Sequence, residues 1–218
     1  QWDQALEMIR TEVEKTPDSP QLQYSLGTVY MHNGLFSAAS TCFQNSKKLG
    51  NTDPELLLML SETYRFRNSY ELALPYLIQY LSRIPDDLNG WAHFGWLCYK
   101  TNNTEFGINE LLLHLDQIGP DPAVYASLAN LYTAEFNYPK ARHYYSEAIR
   151  IAESRNLVSA AAIYYYNRAI LEEIFNNFDK AYSDTITSLQ LDPSSSGILL
   201  KAELELRKQN FTQALASY

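Results

Sequence analysis

Residues 20–49 read PQLQYSLGTVYMHNGLFSAASTCFQNSKKL and contain two helical patterns separated by a short turn. Apolar residues recur at helical spacing over residues 22–30, as they do on the buried face of a helix. Asn33 and Gly34 follow, and both residue types accept the left-handed backbone conformation found just past a helix end. A second helical pattern begins at Phe36. The stretch therefore predicts an antiparallel pair of helices.

The same pattern returns along the chain with a period of 34 residues. Three kinds of aligned column carry it: a large apolar residue, a small residue on each helix of the pair, and a turn residue. Small residues on facing helices let the two backbones approach closely. A fixed period of this size predicts a stack of similar units rather than one closed core. The aligned columns are Leu26, Leu60, Phe94 and Leu128; Gly27, Ser61, Gly95, Ala129, Ala169 and Ala202; Ala39, Ala73, Gly107, Ala141, Ala181 and Ala214; and Gly34, Asn68, Asn102, Asn137, Asn176 and Asn210.

The spacing changes once along the chain. Ala141 and Ala181 are 40 residues apart, six more than the period, and the extra residues fall within 152–162. Longer helices with a displaced turn are the simplest interpretation, and a functional lip at this joint is the alternative.

The repeats predict an all-α solenoid of about 12–13 helices that forms one array over residues 1–218. Both end units are incomplete, so we expect a fragment of a longer array. The predicted parts are 2–17 (second helix of a truncated repeat), 20–53, 54–87, 88–121, 122–156, 157–194 (a longer repeat) and 195–218 (a truncated repeat).

This pattern resembles the tetratricopeptide-repeat (TPR) family. The resemblance is carried by residues 20–49, with Leu26, Gly27, Tyr30, Ala39 and Phe43, and by Tyr165-Tyr166-Asn167-Arg168-Ala169, Asn177-Phe178-Asp179-Lys180-Ala181 and Leu191-Asp192-Pro193. It implies a right-handed superhelix of helix pairs whose first helices line a concave groove. It also implies a scaffold without catalytic activity that binds other proteins.

Mapped onto this chain, the resemblance places a peptide-binding groove on the first helices. Trp96 is the strongest candidate anchor, because tryptophan, tyrosine and arginine dominate binding hot spots. The alternative is that Trp96 packs between adjacent first helices. The charges of Glu62, Arg65 and Lys100 would fix the register of a bound segment. The predicted groove residues are Tyr24, Thr28, Leu58, Met59, Glu62, Arg65, Phe66, His93, Trp96, Tyr99, Lys100, Asn130, Tyr166 and Ile170.

Composition argues against several other functions. With 17 basic and 25 acidic residues the net charge is −8, which disfavours a nucleic-acid partner. The apolar runs fall short of the roughly 20 residues of a membrane span. Cys42 and Cys98 lie on different predicted helices and are interpreted as buried apolar residues. Glu172 and Glu173 are interpreted as a solvated or groove-rim charge pair.

The sequence contains none of the familiar catalytic motifs. It has no glycine-rich phosphate loop, no HExxH, no Gly-x-Ser-x-Gly and no paired-cysteine metal pattern. We therefore predict no enzyme activity, no catalytic residue, no cofactor and no metal.

The expected function is a protein-interaction scaffold that binds a peptide or helix of a protein partner. Two alternatives stay open. The first is an assembly element that self-associates through its truncated ends, and the second is a regulatory segment of a larger protein. The sequence leaves the compartment open between the cytoplasm, which is the default, and an exported or periplasmic location.

Overall fold

A computed structural model describes residues 2–216, with side chains described for residues 6–117 and 119–207. Within that part of the chain it consists of twelve α-helices and no strand, which confirms the all-α repeat fold predicted from the 34-residue period. The helices are α1 (Trp2–Lys15), α2 (Pro20–His32), α3 (Phe36–Lys48), α4 (Pro54–Phe66), α5 (Tyr70–Leu81), α6 (Leu88–Lys100), α7 (Thr104–Ile118), α8 (Pro122–Ala134), α9 (Tyr138–Ser154), α10 (Val158–Ile174), α11 (Phe178–Leu191) and α12 (Ser195–Ala216).

The helices form two compact units, unit 1 (residues 1–101, α1–α6) and unit 2 (residues 102–218, α7–α12). Within each unit every helix packs against its neighbours in chain order. The even-numbered helices are the first helices of the pairs, and the odd-numbered helices are the second helices.

The first helices begin at a recurring cap. Ser19, Asp53 and Asp121 each accept a hydrogen bond from a backbone N–H of the following helix, and each precedes a proline at its first position. Such a cap satisfies donors that have no partner inside the helix, and proline there loses no helical hydrogen bond. The 34-residue spacing of these caps therefore fixes where α2, α4 and α8 start.

The core follows the predicted columns. Leu26, Leu60, Phe94 and Leu128 are all buried. The small column on the first helices is needed for close packing, because a Cβ added at Gly27 would lie 2.7 Å from the ring of Phe43 on α3.

The turns between paired helices contain a residue with positive φ. Gly34, Asn68, Asn102 and Asn176 fill this position as the column predicts. In the pair α8 and α9 the prediction is wrong, because the left-handed residue is Phe136, with φ 56°. Asn137 instead caps α9, where its side-chain oxygen accepts a hydrogen bond from the Lys140 N–H at 3.4 Å.

The structure also lacks the predicted turn at Asn210, since α12 runs without a break from Ser195 to Ala216. Asparagine accepts the left-handed conformation but does not require it. The six extra residues of the long spacing lie in α9 and α10, which are 17 residues each, with Asn156 at positive φ between them.

Candidate functional site

All fourteen predicted groove residues lie on first helices. Eleven of them belong to α2, α4 and α6 in unit 1, and Asn130, Tyr166 and Ile170 belong to α8 and α10 in unit 2. Each of the fourteen is half-buried or exposed. The side chains in unit 1 form two groups of contacts, one around a carboxylate and one around aromatic rings.

The first group is centred on Glu62. One carboxylate oxygen of Glu62 accepts hydrogen bonds from Arg65 Nε at 3.0 Å and Arg65 Nη2 at 2.5 Å. The other oxygen lies 3.2 Å from Nδ1 of His93 on α6. Burial alone would raise the pKa of Glu62, but the hydrogen bonds and charges of His93 and Arg65 outweigh it and lower the pKa to about 2. Glu62 therefore stays ionised and ties α4 to α6.

The second group is aromatic and surrounds Trp96. The half-buried indole meets the ring of Tyr70 edge to face at 5.2 Å. Lys100 Nζ lies 5.4 Å from the ring centroid of Trp96 and 5.5 Å from that of Tyr99. The aromatic partner of Trp96 is thus on the second helix α5, whereas the packing alternative considered from the sequence placed it between adjacent first helices.

Phe66 makes a related aromatic contact one pair earlier, with its ring parallel to its partner. Its ring stacks on Phe36 of α3 with centroids 4.8 Å apart, and the Arg65 guanidinium lies 4.3 Å from its centroid. Phe36 and Tyr70 are the aromatic residues that open α3 and α5, and each packs on the last half of the next first helix. The sequence shows this aromatic column, but nothing in it indicates the pairing.

The remaining four predicted groove residues of unit 1 are half-buried. Tyr24 contacts the buried ring of Phe43 at 5.6 Å, and the Thr28 hydroxyl donates to the Tyr24 carbonyl at 3.1 Å. Leu58 and Met59 are half-buried on α4.

In unit 2 the predicted residues have structural contacts. Asn130 accepts a hydrogen bond from the Tyr145 hydroxyl of α9 at 2.6 Å. Tyr166 and Ile170 pack against a cluster of buried residues on α10, α11 and α12, namely Ala169, Ala181, Leu200 and Leu204.

Unit 2 also contains buried ion pairs that the sequence does not reveal. Glu172 is only 3% exposed, and Arg142 of α9 lies 2.5 Å from it. Arg168 pairs with Asp184 of α11 through two hydrogen bonds of 2.7 and 2.8 Å. The interpretation of Glu172 and Glu173 as a solvated or rim pair is therefore wrong for Glu172. The partners are 16 and 30 residues apart on different helices, so no local sequence signal connects them.

The described residues contain no group of three or more histidine, cysteine, aspartate and glutamate side chains placed to hold a metal ion. None of the described helices combines the length and apolarity that a membrane span requires. Cys42 and Cys98 are both buried, and burial raises the pKa of the Cys42 thiol.

Residues 122–155 match the sequence model of the tetratricopeptide repeat. The chain therefore contains a tetratricopeptide repeat. The match covers one helix pair, α8 and α9. No curated protein matches the chain.

Several solved TPR structures share the fold. A TPR protein from Parabacteroides merdae superposes with a TM-score of 0.80 at 17% identity, covering 95% of this chain and 80% of that protein. YrrB, described as a TPR protein with an unusual peptide-binding site, gives a TM-score of 0.63 at 20% identity over 69% of this chain and 77% of its own. A thermophilic TPR protein from Thermus thermophilus gives 0.62 at 19% identity over 86% of this chain and 100% of its own. At these identities the likeness is one of fold.

Proposed function

We propose that this protein is a non-catalytic scaffold and that the first helices of unit 1 bind an extended or helical segment of a protein partner. The TPR fold in general suggests a protein-interaction role, and YrrB is a TPR protein with a peptide-binding site. The proposal goes further, because it assigns the binding to named residues of α4 and α6.

One observation carries the proposal. Phe66 and Tyr99 are 46% and 44% exposed although they belong to aromatic groups with cations beside them. Exposed aromatic rings with a charged group nearby supply both apolar area and orientation to a partner. Because Glu62 already compensates Arg65, Lys100 is the cation of this surface best placed to meet an anionic or carbonyl group of the ligand.

The test compares two tryptophans of the same helix. Trp96 belongs to the proposed surface, whereas Trp91 lies about 140° around α6 from it and donates a hydrogen bond to the Pro85 carbonyl at 2.8 Å. Wild type, Trp96→Ala and Trp91→Ala are each immobilised and used to capture partners, which are identified by mass spectrometry. A captured protein is then titrated against all three.

We expect Trp96→Ala to weaken binding of the captured partner by more than about tenfold. Trp91→Ala should lower the melting temperature and retain the partner. Equal capture by all three proteins would rule out the assigned surface, and so would loss of binding that follows the melting temperature rather than the position of the substitution.

Self-association is a second candidate function, supported by α12. Ile198, Leu199 and Leu206 on this helix are 58%, 71% and 62% exposed, whereas Leu200 and Leu204 fill the core beside α10 and α11. Apolar side chains grouped in this way favour coverage by another protein surface. The partner would be a second copy of the chain.

Light scattering over a concentration series tests this candidate. A mass that rises with concentration in wild type and stays at 25.0 kDa in Leu199→Glu would support it. A wild-type protein that stays monomeric throughout would exclude it and leave the scaffold proposal untouched.

A further inference from the structure

A cleft in unit 2 lies outside the proposed groove. It has a volume of about 330 Å³ and lies between the second helices α9 and α11, with α10 beneath them. All of its lining residues are charged or carry a hydroxyl group: Arg142, Ser146, Arg168, Glu172, Lys180, Ser183 and Asp184.

The cleft is on the other side of α10 from the predicted groove residues. A helix turns about 100° per residue. Arg168 and Glu172 each follow a groove residue, Tyr166 and Ile170, by two positions, so they lie about 200° around the helix from them. A ligand in the cleft would therefore not touch the groove surface.

The charges of the cleft do not cancel. Three lining side chains are cationic and two are anionic, in a chain whose net charge is −8. Both oxygens of Asp184 accept hydrogen bonds from Arg168. Glu172 is satisfied as well, by Arg142 at 2.8 Å and by Asn177 at 2.7 Å. Neither carboxylate is available to neutralise a further cation.

The surplus charge is on Lys180. It is exposed in the first turn of α11, and among the described residues none forms an ion pair with it. The exposed hydroxyl of Ser183 lies one turn further along the same helix. An ammonium and a hydroxyl at the mouth of a cleft offer hydrogen-bond donors to one anionic group.

Phe136 supplies an apolar group beside the cleft. Its side chain is 77% exposed, and its backbone is left-handed at a position where four other turns use glycine or asparagine. An aromatic residue in this conformation is strained, and its exposed ring gains nothing from burial. Asparagine would adopt this backbone with less strain, so the local fold does not account for the phenylalanine.

A chain of contacts joins Phe136 to the cleft. Its ring lies 6.2 Å from that of Tyr138, and Tyr138 meets Phe175 at 4.3 Å. The Arg142 guanidinium then lies 5.3 Å from the Phe175 centroid while it pairs with Glu172 in the cleft. Arg142 therefore connects the aromatic group to the cleft.

We propose that this surface, Phe136 with the cleft at Lys180, is a second protein-binding site, and that it takes an acidic segment carrying an aromatic side chain next to a carboxylate. The carboxylate would enter at Lys180 and Ser183, and the aromatic side chain would pack on Phe136 and Tyr138. A single negative charge matches the surplus of one positive charge, whereas a doubly charged phosphate would also face Glu172 and Asp184.

The probe is a fluorescein-labelled peptide with a central phenylalanine between two glutamates, titrated with the full chain and followed by fluorescence anisotropy. Two matched peptides carry glutamine in place of glutamate or alanine in place of phenylalanine. We expect the first peptide to bind at least about tenfold more tightly than either control. Comparable binding of the glutamine peptide, or no binding of the first peptide, would overturn the proposal.

Two variants separate binding from folding. Phe136→Asn introduces the residue used at Asn68, Asn102 and Asn176, so it should raise the melting temperature while lowering the affinity for the peptide about tenfold. Lys180→Glu should lower the affinity for the peptide by at least about tenfold. Lys48→Glu makes the same charge change at an exposed position of α3 in unit 1 and should leave the affinity for the peptide unchanged. An unchanged affinity in either Phe136→Asn or Lys180→Glu would refute the assignment.

Two further measurements identify the binding site and the class of ligand. Trp96→Ala should bind the peptide as wild type does, and a loss there would place the peptide on unit 1 instead. Inorganic phosphate should displace the peptide no better than sodium chloride of equal ionic strength. Specific displacement by phosphate would overturn the carboxylate assignment.

Discussion

Tyr70 and Trp96 meet edge to face, with ring centroids 5.2 Å apart and ring planes at 87°. The contact joins the start of α5 to the last half of α6, so the residue proposed as a binding anchor also connects α6 to the preceding helix pair, α4 and α5. Aromatic pairs in this geometry contribute roughly 0.5–1.5 kcal/mol beyond the area that they bury. Binding and stability are thus both expected to depend on Trp96.

A double-mutant cycle separates the two roles. Tyr70→Ala, Trp96→Ala and the double variant are compared with wild type by urea unfolding, and we expect a coupling energy of about 1 kcal/mol between the two positions. Tyr70→Ala should retain partner binding better than Trp96→Ala does. If the two losses of stability simply add, the rings do not stabilise one another.

Gly27 tests the close approach of α2 and α3. A Cβ at this position would lie 2.7 Å from two ring atoms of Phe43, which is completely buried and has no space to move into. We expect Gly27→Ala to lower the free energy of unfolding by about 1–3 kcal/mol despite the better helix propensity of alanine. Ser61→Ala, in the same column on α4, is the control for a small change of size. A Gly27→Ala protein as stable as wild type would mean that the helix pair is not packed as described.

Two buried serines make equivalent contacts in the two units. Ser46 Oγ donates to the Pro20 carbonyl at 2.7 Å, and Ser188 Oγ donates to the Ala162 carbonyl, also at 2.7 Å. Each bond connects a second helix to the first helix of its own pair, and both spacings are 26 residues.

Replacement of either serine by alanine should reduce the free energy of unfolding by about 1 kcal/mol, the usual net contribution of such a bond. Thermal or urea unfolding of Ser46→Ala and Ser188→Ala gives the values, and Ser37→Ala, exposed on α3, is the control. A gain in stability in both variants would show that the hydroxyls are buried without benefit.

The parts of this structure that repeat could be predicted from the sequence, and the parts that occur once could not. The buried Leu60 column and the proline-led helix starts follow from the period, because every pair meets the same packing demand. Phe136 breaks its column, and the neighbouring Asn137 offered a residue of the expected type. Only the backbone φ distinguishes the two positions.

The candidate sites show the same division. Placement of the groove residues on first helices depended on the period, whereas the contact of Glu62 with His93 and the pairing of Arg142 with Glu172 depend on side chains from different helices. When a charged residue does not recur from repeat to repeat, the sequence gives no indication of the residue with which it pairs. The cleft of unit 2 consists entirely of such residues, so it became visible only in the structure.

Glu62 makes the stability of unit 1 depend on pH. Its pKa in the folded protein is about 2, below the 4.5 of an unperturbed glutamate. A carboxyl group whose pKa is lowered by folding stabilises the folded state above the unfolded pKa. That contribution is lost as the pH falls through the folded pKa. The window is therefore the acidic range between the two values.

We predict that Glu62→Gln is clearly less stable than wild type at about pH 7 and that the difference shrinks at about pH 3, because at that pH the unfolded wild-type chain binds a proton at Glu62 whereas the folded chain still holds the carboxylate ionised. Urea unfolding at a series of pH values measures the difference at each point. Glu71→Gln, exposed on α5, is the matched control and should differ little from wild type at either pH. A difference between Glu62→Gln and wild type that stays constant from neutral to acidic pH would show that the Glu62 carboxylate is not held in its charged form by these partners.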